Sequence, residues 1–195
     1  YVFREVGRGP KVRVEGEADE AEADVVAWVK AKHPEVRIMG YGKLMEVYKD
    51  MGLPADVAKK YGLSHMQGSH AIGHTRMATE SAVTTEHSHP FTPAPDMCLV
   101  HNGSLSNHNN LRKWLRKQGQ EFDTDNDSEV AARYFAHRLG EGATLKEALE
   151  AGLSDLDGFL TGIVIGPERI PPEDSQRPEP RAVGLQRTPM RGRTP

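Results

Sequence analysis

Three polar clusters between Gly73 and Glu129 hold the side chains that could do chemistry. Arg76 follows the apolar run Ala71-Ile72-Gly73 and is flanked by Thr75 and Thr79. A guanidinium there can grip a carboxylate through two parallel N–H···O bonds, which a lysine cannot reproduce. Asn102-Gly103 follows the apolar run Met97-Cys98-Leu99-Val100. A side-chain amide beside an unhindered backbone N–H gives two donors that could converge on a developing oxyanion. Glycine at that place also permits close approach or a positive φ. Asp125, Asn126, Asp127, Ser128 and Glu129 then precede a helical pattern, where one carboxylate could hold an ammonium while another caps the helix. Each cluster has a plainer reading as well. Arg76 could be an exposed arginine, Asn102-Gly103 a hairpin turn, and Asp127 a helix cap and nothing more.

Histidines crowd the same region: His65, His70, His74, His87, His89, His101 and His108. His87-Ser88-His89 would put two rings on one face of a strand, so a zinc site has to be weighed. There is no His-Glu-x-x-His and no second cysteine, and no metal is expected. Cys98 sits inside an apolar run and reads as a buried, inert thiol.

The elements that would position these residues follow from local pattern. Val12-Arg13-Val14 alternates as a short strand does. Ala18 to Lys32 is acidic first and basic last, as the helix macrodipole favours, with Val25, Val26, Trp28 and Val29 giving it an apolar side before Pro34 stops it. Pro54 opens a short helix that Gly62 can close. Ala71–Gly73 and Met97–Val100 read as buried strands. Ser106 is the expected N-cap of a helix carrying Leu111, Trp114 and Leu115, with Gly119 beyond its end. A second helix follows Asp127, with Val130, Ala131, Tyr134, Phe135 and Leu139 at helical spacing. Thr144-Leu145-Lys146-Glu147 matches a capping box, and Leu156–Ile165 has the makings of a core strand.

At 195 residues the chain is long enough for one domain with a real core. Its net charge of −3 gives no electrostatic case for nucleic acid or an anionic membrane. No stretch approaches the ~18 apolar residues of a membrane-spanning helix. The single cysteine fits a reducing, cytoplasmic compartment. Residues 167–195 hold seven prolines, six arginines and no aromatic residue, so this tail is expected to be disordered or artefactual.

The order of the clusters is more telling than any one of them. His74-Thr75-Arg76-x-Ala78-Thr79, His89-Pro90, His101-Asn102-Gly103 and Asp127-Ser128-Glu129 together resemble class II glutamine amidotransferases of the N-terminal-nucleophile (Ntn) hydrolase superfamily. The wording of Thr75–Thr85 and Leu99–Asn110 is most similar to stand-alone amidotransferase subunits related to glutamate synthase, including that of N-methylglutamate synthase. The resemblance runs from about Gly40 to about Ile165.

It implies an α+β protein with the four-layer αββα Ntn sandwich over residues 1–166, incomplete at both ends. Arg76 would bind the α-carboxylate of glutamine and Asp127 its α-ammonium. Asn102 and Gly103 would form the oxyanion hole, and Thr79 with the His89-Pro90 turn would line the pocket. The family's reaction is glutamine hydrolysis through a thioester, with ammonia passed to a flavin- or Fe–S-dependent synthase partner and no cofactor of its own. Its nucleophile is a cysteine at the mature N-terminus. This chain begins at Tyr1, so it is expected to be a fragment without that residue, and inactive. The alternative implied is an amidotransferase-like subunit that keeps the fold of such a synthase complex without the reaction.

Overall fold

In the computed structural model, residues 2–5, 12–15, 22–34, 36–76, 84–166 and 181–187 are described. Strands β1 (Val2–Glu5) and β2 (Val12–Glu15) pair antiparallel, so the strand expected at Val12–Val14 is present. Helix α1 (Glu22–Lys32) ends in Lys30 and Lys32, the charge sense its macrodipole favours. Its expected apolar side is not a packed one: Trp28 is 56% exposed and stacks on His33. Helix α2 (Pro54–Tyr61) starts at its proline and stops where Gly62 turns left-handed at φ 64°, as expected.

The main sheet has the order β3-β4-β5-β6, with every neighbour antiparallel. Its members are β3 (Phe91–Ala94), β4 (Met97–Leu105), β5 (Gly158–Gly166) and β6 (Arg181–Arg187). The β4–β5 ladder is unbroken from Cys98↔Ile165 to Leu105↔Gly158. Between these strands run α3 (His108–Lys117), α4 (Asp127–Gly140) and α5 (Leu145–Asp155). Met97, Leu99 and Leu105 of β4 alternate onto one face and join Val164 and the buried side of α4 in a single core. In α4, Val130, Ala131, Tyr134, Phe135 and Leu139 are all buried, the stripe its spacing predicts. Burying each of the larger ones contributes roughly 1.5–3 kcal/mol. The capping box also forms: the Thr144 hydroxyl oxygen accepts from Glu147 N–H, and the Glu147 carboxylate accepts from Thr144 N–H. The result is an α+β protein with helices packed on an antiparallel sheet.

Three expectations fail, each for a reason that is not local in sequence. Ala71–Gly73 is coil, with Ala71 and Gly73 exposed, because no strand of the described sheet pairs with it. Ser106 is not the N-cap of α3; Asn107 holds that place and makes no side-chain cap. Its amide instead spans the end of α5, donating to Asp155 O (2.8 Å) and accepting from Asp157 N–H (3.1 Å). Ser106 N–H donates to Asp157 O at 2.7 Å, so tertiary bonds displace the local cap. The tail, expected to be disordered, contributes β6: Arg181–Arg187 pairs with Leu160–Gly166, giving the outer side of β5 backbone partners. Ala182-Val183-Gly184-Leu185 is the one apolar stretch of the tail, and composition averaged over the whole segment hides it. Residues 167–180 and 188–195 lie outside the described residues.

Candidate functional site

Asn102 and Gly103 do not form a turn. They lie inside β4, paired with Thr161 and Leu160 of β5. Alternation puts Asn102 on the face away from the helices, where it is exposed. Gly103 has φ +143°, and a Cβ there would sit 2.1 Å from the Phe159 carbonyl oxygen and 3.1 Å from His101 Nε2. Only glycine fits, because the strained backbone and the missing space act together.

Asp127 is the first residue of α4. The cap belongs to Asn126, whose side-chain oxygen accepts from Ser128 N–H at 2.8 Å. With that duty taken, the Asp127 carboxylate turns to β4 and accepts Leu105 N–H at Oδ2 (2.8 Å). Ser128 Oγ meets His101 Nδ1 at 2.8 Å, with both side chains buried. Two buried groups hold the preceding loop. Arg112 donates to Thr124 O (2.6 Å) and Asn126 O (3.0 Å), with Phe122 stacked 4.5 Å from its guanidinium carbon. Glu129 accepts Asp123 N–H, Thr124 N–H and the Thr124 hydroxyl at 2.7–2.9 Å.

Arg76 comes from coil. It donates to His87 O (3.0 Å), the carbonyl that Asn126 Nδ2 also approaches at 3.5 Å. His87 Nε2 is 3.2 Å from Asp125 Oδ1, so the Arg76 segment and the Asp125–Asp127 loop meet at His87. The segment meets β4 as well, since the His74 ring bonds the His101 backbone. Arg76 and His89 line an open cleft of about 1550 Å³ with His74, Lys49, Cys98 and Ile165 among the other walls. Asn102, Gly103 and Asp127 are not among its lining residues; they stand beyond it along β4 and the start of α4. Thr79 lies outside the described residues.

The imidazoles near the cleft are held neutral. Burial lowers the pKa of His89 to about 3, helped by its electrostatic coupling to His74 and His101 and by the positive charge of Lys49 and Arg76. Burial also lowers His74 and His101, opposed at His101 by the Asp127 carboxylate. His74 and His89 stack at 4.2 Å, and both ring nitrogens of His89 are buried without a hydrogen-bond partner. His87 and His89 do not share a strand face, because residues 85–89 form turns and bends. Among the described residues no three His, Cys, Asp or Glu side chains are arranged to hold a metal ion. Cys98 is 2% exposed and burial pushes its thiol up to about 11, as an inert core cysteine requires. Sequence reasoning passed over the roles of His101, Ser128, Arg112 and Glu129. The two-residue period of Met97, Leu99 and His101 was the available sign that His101 faces the core.

Residues 59–149 match the glutamine amidotransferase domain family. The chain is 56% identical over 142 residues to the glutamine amidotransferase-like protein GlxB of Rhizobium meliloti (strain 1021), covering 73% of this chain and 47% of that protein. It is 33% identical over 148 residues to the isomerizing glutamine–fructose-6-phosphate aminotransferase of Aliivibrio fischeri, covering 74% of this chain and 22% of that one. Among solved structures, glutamine phosphoribosylpyrophosphate amidotransferase from B. subtilis superposes with a TM-score of 0.53 at 30% identity, over 64% of this chain and 27% of that one. The chain thus spans less than half the length of these relatives. Among the described residues no helix is long and apolar enough to cross a membrane.

Proposed function

The chain carries a class II glutamine amidotransferase domain of the Ntn-hydrolase superfamily, and from that premise we propose that it binds L-glutamine between Arg76 and Asp127. The observation that carries this reading is the convergence on His87. The Arg76 guanidinium bonds the His87 carbonyl while Asp125 and Asn126 approach the same residue, which brings the Arg76 segment up against the loop that leads into Asp127. Arg76 takes the α-carboxylate as a bidentate fork, and Asp127 takes the α-ammonium with the carboxylate valences that Leu105 N–H leaves open. Asn102 Nδ2 and Gly103 N–H, just beyond, point the oxyanion role at the side-chain carbonyl of the glutamine. Thr79 and the His89-Pro90 turn complete the pocket. Since His89 is neutral at physiological pH, it does not compete with Arg76 for a carboxylate.

The reaction we assign to the site is hydrolysis of glutamine to glutamate and ammonia through a thioester, the ammonia going to a flavin- or Fe–S-dependent synthase partner. Cys98 does not supply the thiol. It is buried, its thiol stays protonated, and among the described residues no base is bonded to it. Cys98 is therefore not the activated sulfur beside the fork, amine acceptor and oxyanion donors proposed here. A second reading, which the buried state of Cys98 supports, is a non-catalytic amidotransferase-like subunit of an N-methylglutamate synthase-type complex. Glutamate release from L-glutamine separates the two. The purified chain is expected to release none; release that disappears in Cys98→Ala would make Cys98 the nucleophile and overturn this assignment.

A further inference from the structure

We propose that His101 and Ser128 are positioning residues that lock the Asn102–Gly103 donors to the Asp127 carboxylate, so that both ends of the site move as one body. This rests on the reading of Asn102 and Gly103 as oxyanion donors. The start of α4 is tied to β4 at two places that bracket the pair. On one side Ser128 Oγ meets His101 Nδ1 at 2.8 Å, and on the other Leu105 N–H meets Asp127 Oδ2 at 2.8 Å. Only Asn102, Gly103 and Ser104 lie between the ties.

The two ties are themselves joined. Ser128 Oγ also lies 3.4 Å from Asp127 Oδ1, so its hydroxyl stands between that carboxylate and His101 Nδ1. That leaves the Nε2 edge of the ring under Gly103, 3.1 Å from where a Cβ would stand. A side chain at position 103 would thus meet the imidazole as well as the Phe159 carbonyl. His101 is 4% exposed and Ser128 3%, so water does not compete for their bond. Burial disfavours the charged ring, and the Ser128 hydroxyl can pair with either neutral tautomer. Donors fixed before the substrate arrives have no reorganisation left to do when charge develops, and that is the use of such a clamp.

The test is amide hydrogen exchange on residues 1–195, as wild type, Ser128→Ala and Ser128→Thr, with and without saturating L-glutamine. In Ser128→Ala the Asn102 and Gly103 amides are expected to exchange on the order of tenfold faster, matching the loss of one buried hydrogen bond. Val130 and Phe135, further along α4, should keep their wild-type protection. Ser128→Thr, which retains the hydroxyl, should restore slow exchange at both amides. The chemical-shift change at Gly103 on adding L-glutamine should follow the same order. Unchanged exchange at 102–103 in Ser128→Ala would overturn the clamp, as would a loss of protection spread evenly over β4 and α4. Failure of wild type to bind L-glutamine would instead sink the proposed function, leaving the exchange contrast to decide the clamp by itself.

Discussion

Asn102, Gly103 and Asp127 stand on a strand and a helix whose facing side chains are fully buried, whereas Arg76 stands on coil and bonds the carbonyl of a turn residue. On the first side, the core residues Leu99, Leu105, Val130 and Phe135 are each at most 1% exposed, and Arg112 and Glu129 hold the loop from within. On the second, Ala71, Gly73 and Thr75 are exposed, and the contact with β4 is the His74 ring. The difference teaches where precision is needed. In the proposed site, oxyanion donors that must be placed to a fraction of an ångström would stand on rigid elements, while a long arginine would reach a carboxylate from a looser base.

The widest separation between the two sides should come from paired glycine substitutions. Gly103→Ala forces a Cβ to within 2.1 Å of a backbone oxygen at a positive φ, and about 3 kcal/mol of stability should be lost with the glutamine site. Gly73→Ala meets nothing within 4 Å and should change stability by no more than about 0.5 kcal/mol. Urea unfolding measures both; equal losses would erase the contrast.

A smaller effect is expected at Glu129→Gln. The amide replaces one acceptor oxygen by a donor and leaves at least one of the Asp123, Thr124 N–H and Thr124 hydroxyl donors without a partner, at a cost of about 1–3 kcal/mol. Its sharper signature is faster exchange at the Asp123 and Thr124 amides, read by hydrogen exchange, with the Arg76 segment unaffected.

The most gradual effect is the pH response of the cleft. His89 has a folded pKa of about 3 against an ordinary value near 6.5, so below that value the unfolded chain takes up a proton that the folded chain refuses. Stability from this group is complete above pH 6.5 and falls as the pH drops towards 3, by roughly 1 kcal/mol per pH unit. His74 and His101 shift in the same direction and add to the slope. Unfolding midpoints between pH 6.5 and 5, above the range where carboxylates titrate, should show a shallower slope in His89→Gln than in wild type.

Legibility in the sequence followed the same division. The Met97–Val100 run, the helical spacing of Val130 to Leu139 and the Thr144–Glu147 box are local signals, and each became the element it announces. Asn102-Gly103 has the local form of a hairpin turn and lies in mid-strand because β5, more than fifty residues on, pairs straight across it. Ala71–Gly73 shows the opposite case, three apolar residues with no strand beside them. The tail failed through averaging, since one short apolar stretch within a Pro/Arg-rich segment is enough to add an edge strand. Residue types at the site were readable, whereas the side-chain bonds that hold them, from His101, Ser128, Arg112 and Glu129, depend on which elements meet in space.

That Arg76 and Asp127 hold the two ends of one amino acid is tested most directly by calorimetric titration with ligands that each lack one end. The ligands are L-glutamine, 4-aminobutanamide without the carboxylate, and glutaramate without the ammonium. Arg76→Lys should weaken L-glutamine by about 10-fold or more, through loss of the fork, and leave 4-aminobutanamide unchanged. Asp127→Asn, which keeps an acceptor oxygen for Leu105 N–H, should weaken L-glutamine similarly and leave glutaramate unchanged. Each substitution silencing only the ligand end it faces is the expected result. L-glutamine binding to both variants as it does to wild type would contradict the assignment of either residue to the substrate.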